Sequence, residues 1–118
     1  MPLYIAQGRF TRDAVKGMLQ TPEDRTESVA RLFESLGGRL ISWYMTTGDY
    51  DWMVVAEAPD AQSSMAASVA ALAGGGVTDV KTCLALDGAE AQAVFARAQE
   101  AARSFKSAGQ AGSGSAAY

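Results

Sequence analysis

Residues 39–58 read Arg-Leu-Ile-Ser-Trp-Tyr-Met-Thr-Thr-Gly-Asp-Tyr-Asp-Trp-Met-Val-Val-Ala-Glu-Ala. Two runs rich in β-branched and aromatic residues, Arg39 to Thr47 and Asp51 to Ala58, flank Gly48-Asp49-Tyr50, which is the pattern of a β-hairpin. Taking Gly48-Asp49 as a two-residue turn with glycine first sets Thr46 opposite Asp51, Met45 opposite Trp52, Trp43 opposite Val54 and Ile41 opposite Ala56. One face then carries Ile41, Trp43, Met45, Trp52, Val54 and Ala56, with no polar residue. The other carries Leu40, Ser42, Tyr44, Thr46, Asp51, Met53, Val55 and Glu57. A one-residue slip would separate Trp43 from Trp52, so the apolar pattern selects this register. A three-residue turn with a bulge also fits these residues.

Upstream, Leu3 to Phe10 has the composition of a first strand. Thr11 is placed to cap a short helix through Met18, with Asp13 in its first turn. Thr21-Pro22-Glu23-Asp24 then suggests a second start, with Thr21 as cap and Pro22 in the first helical position. Val29, Leu32, Phe33 and Leu36 recur on one helical face, and Gly37-Gly38 ends that helix. Downstream, Asp60 caps a helix to about Ala73, alanine-rich and with Met65, Val69 and Leu72 as its narrow apolar stripe. Gly74-Gly75-Gly76 leads into a strand from Val77 to Leu86, with Val80, Thr82, Leu84 and Leu86 on one face and Lys81, Cys83 and Ala85 on the other. Asp87 caps a last helix to about Phe105, with Glu90 in capping-box spacing. Residues 107–118, rich in Ser, Ala and Gly, read as a flexible tail.

This order is β-α-β-β-α-β plus a terminal helix, an α+β class with the split-βαβ, ferredoxin-like arrangement and a four-stranded antiparallel sheet. Right-handed crossovers place both helices on one side of it, against the wholly apolar face. The mixed face, with Leu40, Tyr44, Met53 and Val55, is left open, and a second copy packed sheet to sheet is the expected cover.

Composition narrows the function classes. The chain has 118 residues, which suits one domain, and a globular balance of 48% hydrophobic and 19% charged residues. With 10 basic and 13 acidic residues its net charge is −3, which argues against binding nucleic acid through phosphate neutralisation. It has no histidine, so imidazole bases and His-ligated metals are excluded. Its one cysteine, Cys83, supplies no intramolecular disulfide. Neither a basic leader nor an apolar run of ~20 residues is seen, so a cytoplasmic protein without a membrane partner is expected. The glycine run at 74–76 precedes a strand rather than a helix, and reads as a linker rather than a phosphate-binding loop.

Asp51 is the first candidate for chemistry. Beside the turn, it has Thr46 opposite and Tyr44 and Ser42 nearby, a set suited to acid/base work or to anchoring a polar ligand. The structural alternative, favoured for an acid next to a tight turn, has it bonding to backbone or to Thr46. Arg9, at the end of the first strand, is a candidate for an anionic ligand or a salt bridge. Tyr50 suits ring stacking or packing across a subunit boundary. Trp43 and Trp52 read as core, and Cys83 as an inert small hydrophobe.

The series Met1-Pro2-Leu3-Tyr4-Ile5, Gly8-Arg9-Phe10-Thr11, Leu36-Gly37-Gly38, Tyr44-Met45-Thr46-Thr47-Gly48-Asp49-Tyr50-Asp51 and Val54-Val55-Ala56-Glu57-Ala58-Pro59-Asp60 resembles the GYD-domain family of small bacterial proteins. The resemblance spans about residues 1–87 and implies a dimeric α+β barrel; it brings no activity with it. The expected organisation is therefore a GYD-like domain over 1–87, a helix over 88–106 and the tail over 107–118. The leading functional expectation is a homodimeric binding domain, with a small organic ligand in pockets at the sheet face lined by Ser42, Tyr44, Thr46, Asp51 and Arg9. A cofactor-independent oxygenase or isomerase is the alternative, with catalysis falling to Asp51, Tyr44 or Glu57. A third reading is a structural subunit whose terminal helix builds higher oligomers. No cofactor or metal is expected.

Overall fold

β1 (Leu3–Phe10) sits inside a four-stranded sheet, bonded on one side to β3 (Trp52–Glu57) and on the other to β4 (Val77–Ala85), while β2 (Arg39–Met45) pairs with β3 at the edge. The order β2-β3-β1-β4 is antiparallel throughout. Helices α1 (Arg12–Gln20) and α2 (Thr26–Ser35) connect β1 to β2, and α3 (Ala61–Ala73) connects β3 to β4. This is the ferredoxin-like α+β fold. The computed structural model describes residues 1–109, and α4 (Gly88–Ala102) completes its elements. Met1–Ala85 forms one compact unit, and the described residues from Leu86 onward belong to a second. Residues 110–118 of the expected tail lie outside the described residues.

The core lies between the sheet and α2 and α3. Trp52, Val54 and Ala56 alternate inward along β3, and meet Phe33 of α2 and Ala67 of α3. Burying an aromatic such as Phe33 contributes roughly 2–3 kcal/mol, which is what holds α2 to the sheet.

The derived hairpin register holds at Met45–Trp52 and Trp43–Val54. It fails at Ile41. A shift between Leu40 and Ser42 sets Leu40, not Ile41, opposite Ala56. Leu40 therefore packs against the core while Ile41 is exposed, a one-residue bulge that reverses the faces at the start of the strand. Met45, also assigned to the helix-covered face, is 74% exposed. The strands stop at Met45 and Trp52, short of the expected Thr47 and Asp51, so the connection is wider than a two-residue turn. The reason is hydrogen bonding across the loop: the Thr46 hydroxyl donates to the Tyr50 carbonyl at 2.9 Å, and Arg9 Nε donates to the Asp49 carbonyl at 3.0 Å.

Four further expectations change. Thr21 closes α1 instead of opening the next helix; its N–H donates to the Gly17 carbonyl, and α2 starts at Thr26. Pro22 disfavours helical backbone at Thr21, and Asp24 Oδ1 accepts the Thr26 N–H at 2.9 Å, so the helix begins beyond it. On α3, Met65, Val69 and Leu72 are exposed, whereas Ser64 and Ala67 are buried. The helix docks through its small residues. Its Asp60 cap stands as expected, accepting the Ser63 N–H at 2.8 Å. β4 ends at Ala85, one residue before Leu86. In the second unit, Asp87 and Glu90 form the capping box, and α4 ends at Ala102, short of Phe105.

Candidate functional site

Small side chains on both layers create a cavity. Ala6 on β1 and Ala56 on β3 face Ser64, Ala67 and Ala71 on α3, and side chains this short leave a cleft of about 330 Å³ between sheet and helices. Tyr4, Phe10, Phe33 and Trp52 supply aromatic walls. Arg25 and Ser28, from the start of α2, and Ser68 and Thr82 add polar groups. Ser68 and Thr82 share a hydrogen bond at 3.3 Å, which ties α3 to β4. Among the described residues lining the cleft, Arg25 carries the one formal charge. Its Nη1 is paired to Glu23 Oε1 at 2.9 Å.

Trp52 sits on the floor because Gly8, its partner on β1, has no side chain. A Cβ on Gly8 would lie 2.4 Å from Trp52 Cζ2, so only glycine lets the indole rest on the backbone there. The indole Nε1 is buried and has no hydrogen-bond partner. Such a donor costs the fold free energy.

The residues singled out in the sequence lie elsewhere. Asp51 Oδ2 accepts the Phe10 N–H at 2.9 Å, the Asp51 N–H donates to the Gly8 carbonyl at 2.8 Å, and its carbonyl accepts the Thr46 N–H at 2.8 Å. Asp51 and Thr46 thus stitch the hairpin loop to the end of β1. Ser42 and Tyr44 are paired with Val55 and Met53 on the sheet face away from the cleft, and Tyr44 is half exposed. None of Ser42, Tyr44, Thr46, Asp51 or Arg9 lines the cleft. Arg9 lines a second, polar depression with Asp49, Tyr50, Asp79 and Lys81. Asp79 there has a φ of +53°, in the β4 bulge that faces Gly8. Glu57, the third candidate considered for catalysis, pairs with Arg39. Among the described residues no cluster of three or more His, Cys, Asp or Glu could hold a metal ion, and Cys83 is an exposed free thiol.

The cleft residues Arg25, Ser28, Ser64, Ser68 and Ala71 do not stand out in the sequence. A signal is nonetheless present: Ser64, Ala67, Ser68 and Ala71 recur at one helical face, a stripe too small to fill the space it covers.

A family model for the GYD domain matches residues 4–95. The chain belongs to the GYD domain family. The match runs past Asp87 into α4, further than the resemblance read from motifs alone. No curated protein matches this GYD chain. Among solved structures, it is similar to the transcriptional regulator NMB0573 in complex with L-Met from Neisseria meningitidis, at 16% identity and a TM-score of 0.51, over 74% of the GYD chain and 51% of the regulator. An AsnC family transcriptional regulator from Agrobacterium tumefaciens matches at 18% identity and a TM-score of 0.50, over 73% of the GYD chain and 50% of the regulator. TTHA0845 from Thermus thermophilus matches at 17% identity and a TM-score of 0.48, over 75% of the GYD chain and 96% of its own. The GYD chain thus spans about half the length of the two regulators, and at these identities the likeness is one of fold. No helix among the described residues is long and apolar enough to cross a membrane.

Proposed function

We propose that this GYD domain binds a small organic molecule in the cleft between the sheet and helices α2 and α3, and self-associates through the opposite sheet face. The cleft carries the reading: about 330 Å³ of largely apolar space with a few polar groups is the usual make-up of a small-molecule site. The Neisseria regulator of similar fold was crystallised with L-Met, a ligand on the scale of this space. Binding is favoured over catalysis because Asp51 is occupied by the Phe10 N–H and Glu57 by Arg39. Native mass spectrometry of protein purified from its own host should show a non-covalent small-molecule adduct. Ala71→Leu, which puts a larger side chain into the cleft, should lose it while keeping a native circular dichroism spectrum. A wild type without any adduct, whose melting temperature moves with no compound of a small-metabolite set, would overturn the reading.

A further inference from the structure

The cleft has a polarity of its own. Most of its wall is alanine, aliphatic and aromatic carbon, and its single formal charge, Arg25, stands at the N-cap of α2. A cation is poorly placed there for stability, since the helix N-terminus already carries partial positive charge. Both effects act in the same direction on a ligand: they favour an anion. The Arg25 side chain makes one hydrogen bond, from Nη1 to Glu23, so its Nε and Nη2 donors remain for another acceptor. Buried Ser64, 5% exposed, lines the same space with a hydroxyl that makes no hydrogen bond in the described residues. The volume is that of roughly ten waters, so the occupant is a compact molecule of about ten non-hydrogen atoms.

Resting on the ligand-binding reading above, the geometry points to a small apolar carboxylate as the ligand class, its hydrophobic body between Ala56, Ala67 and the Trp52 and Phe33 rings, and its carboxylate on Arg25. A planar carboxylate matches the guanidinium fork in a bidentate way. A phosphate dianion would lose far more hydration in a cleft with one cation. Glu23 competes with the ligand for Arg25, which gives it a role opposite in sign to that of Arg25.

Phenylacetate, phenylacetamide and phenethylammonium share one hydrophobic body and differ in charge, so they serve as probes in calorimetric titrations of the full chain. Phenylacetate should bind at least tenfold more tightly than the amide, and the cation should not bind. Arg25→Gln should bring the acid down to the affinity of the amide and leave the amide unchanged, whereas Arg25→Lys should keep part of the preference. Glu23→Gln should tighten phenylacetate binding several-fold without moving the amide. Equal affinities for acid and amide in the wild type, or a preference that survives Arg25→Gln in a folded protein, would overturn the carboxylate class while the cleft remains a binding site. If none of the three probes binds but the host adduct is present and lost in Ala71→Leu, the class alone falls. If no probe binds and no adduct is found, the ligand-binding reading falls with it.

Discussion

At Asp51 a single carboxylate oxygen ties the hairpin loop to β1 through the Phe10 N–H. Asp51→Ala leaves that half-buried donor without an acceptor, at a cost of about 1 kcal/mol or somewhat more. In a domain of this size that lowers the melting temperature by roughly 4–8 °C. Asp51→Asn keeps an oxygen that can accept the same bond, and should lose clearly less than the alanine variant. Thermal melts of both proteins decide it: an alanine variant as stable as wild type would mean that the bond carries no stability and that Asp51 is free for chemistry. The structural use of Asp51 is legible in the sequence, because an acid beside a glycine turn commonly bonds to backbone. Its partner is not. Phe10 lies 41 residues earlier, and turn chemistry does not say which strand the loop will meet. Gly48 shows the same division. Its φ of +96° is what a glycine at that point of the sequence announces, but the width of the loop depends on the Thr46 hydroxyl reaching the Tyr50 carbonyl.

α3 shows how an element can be found correctly and turned the wrong way. Its limits follow from Asp60 and the glycine run, both local signals. Its rotation does not, because it has two competing faces. Met65, Val69 and Leu72 form the more hydrophobic one, yet Ser64 and Ala67 take the buried side, where the approach to Ala56 favours small side chains and Ser68 gains Thr82 as a partner. The cleft escapes a reading of the sequence for the same reason, since it is the space which those small residues leave. The cap itself can be tested through pH. The Ser63 N–H, and then the Ser63 hydroxyl, hold the Asp60 carboxyl below the usual aspartate range. A carboxyl lowered in the folded state stabilises the fold fully above its unfolded value of about 4, and that contribution is lost as pH falls through the lowered value. Asp24, lowered by the Thr26 N–H, has the same sign. Asp60→Asn should therefore melt slightly below wild type at neutral pH and approach it as the pH drops to about 2. Melting curves for the two proteins that stay equally far apart across that range would remove the carboxylate's charge from the account of this cap.

On the scale of the whole first unit, the two faces of the sheet have different occupants. The helices cover one, and the cleft lies under them. The other presents Leu3 and Ile5 of β1 beside Met53 and Val55 of β3, with Ile5 opposite Val55 and Gln7 opposite Met53. The pairing of Met45 with Trp52 is enough to assign Met53 and Val55 to this face from sequence, while the bulge at Ile41 moves Leu40 off it and into the core. A contiguous apolar strip on a four-stranded sheet is a surface that a second copy can cover symmetrically. If it does, light scattering at micromolar concentration should give about twice the mass of one chain. Met53→Lys puts an ammonium group at the centre of the strip. In a lone chain its long stem can carry the charge to water, so the fold should survive; in a sheet-to-sheet pair the charge would be buried without a partner, and the pair should dissociate. A wild type with the mass of one chain would remove the sheet-to-sheet pairing. A Met53→Lys protein that keeps the double mass would move the contact to another apolar surface, with the exposed Met65, Val69 and Leu72 stripe of α3 as the next to charge. Because the cleft opens on the helix side and takes no residue from the paired face, dissociation by Met53→Lys should leave phenylacetate affinity within about twofold of wild type. An affinity lost together with the pair would show instead that the ligand site is completed by the second copy, and would return Ser42 and Tyr44 to it.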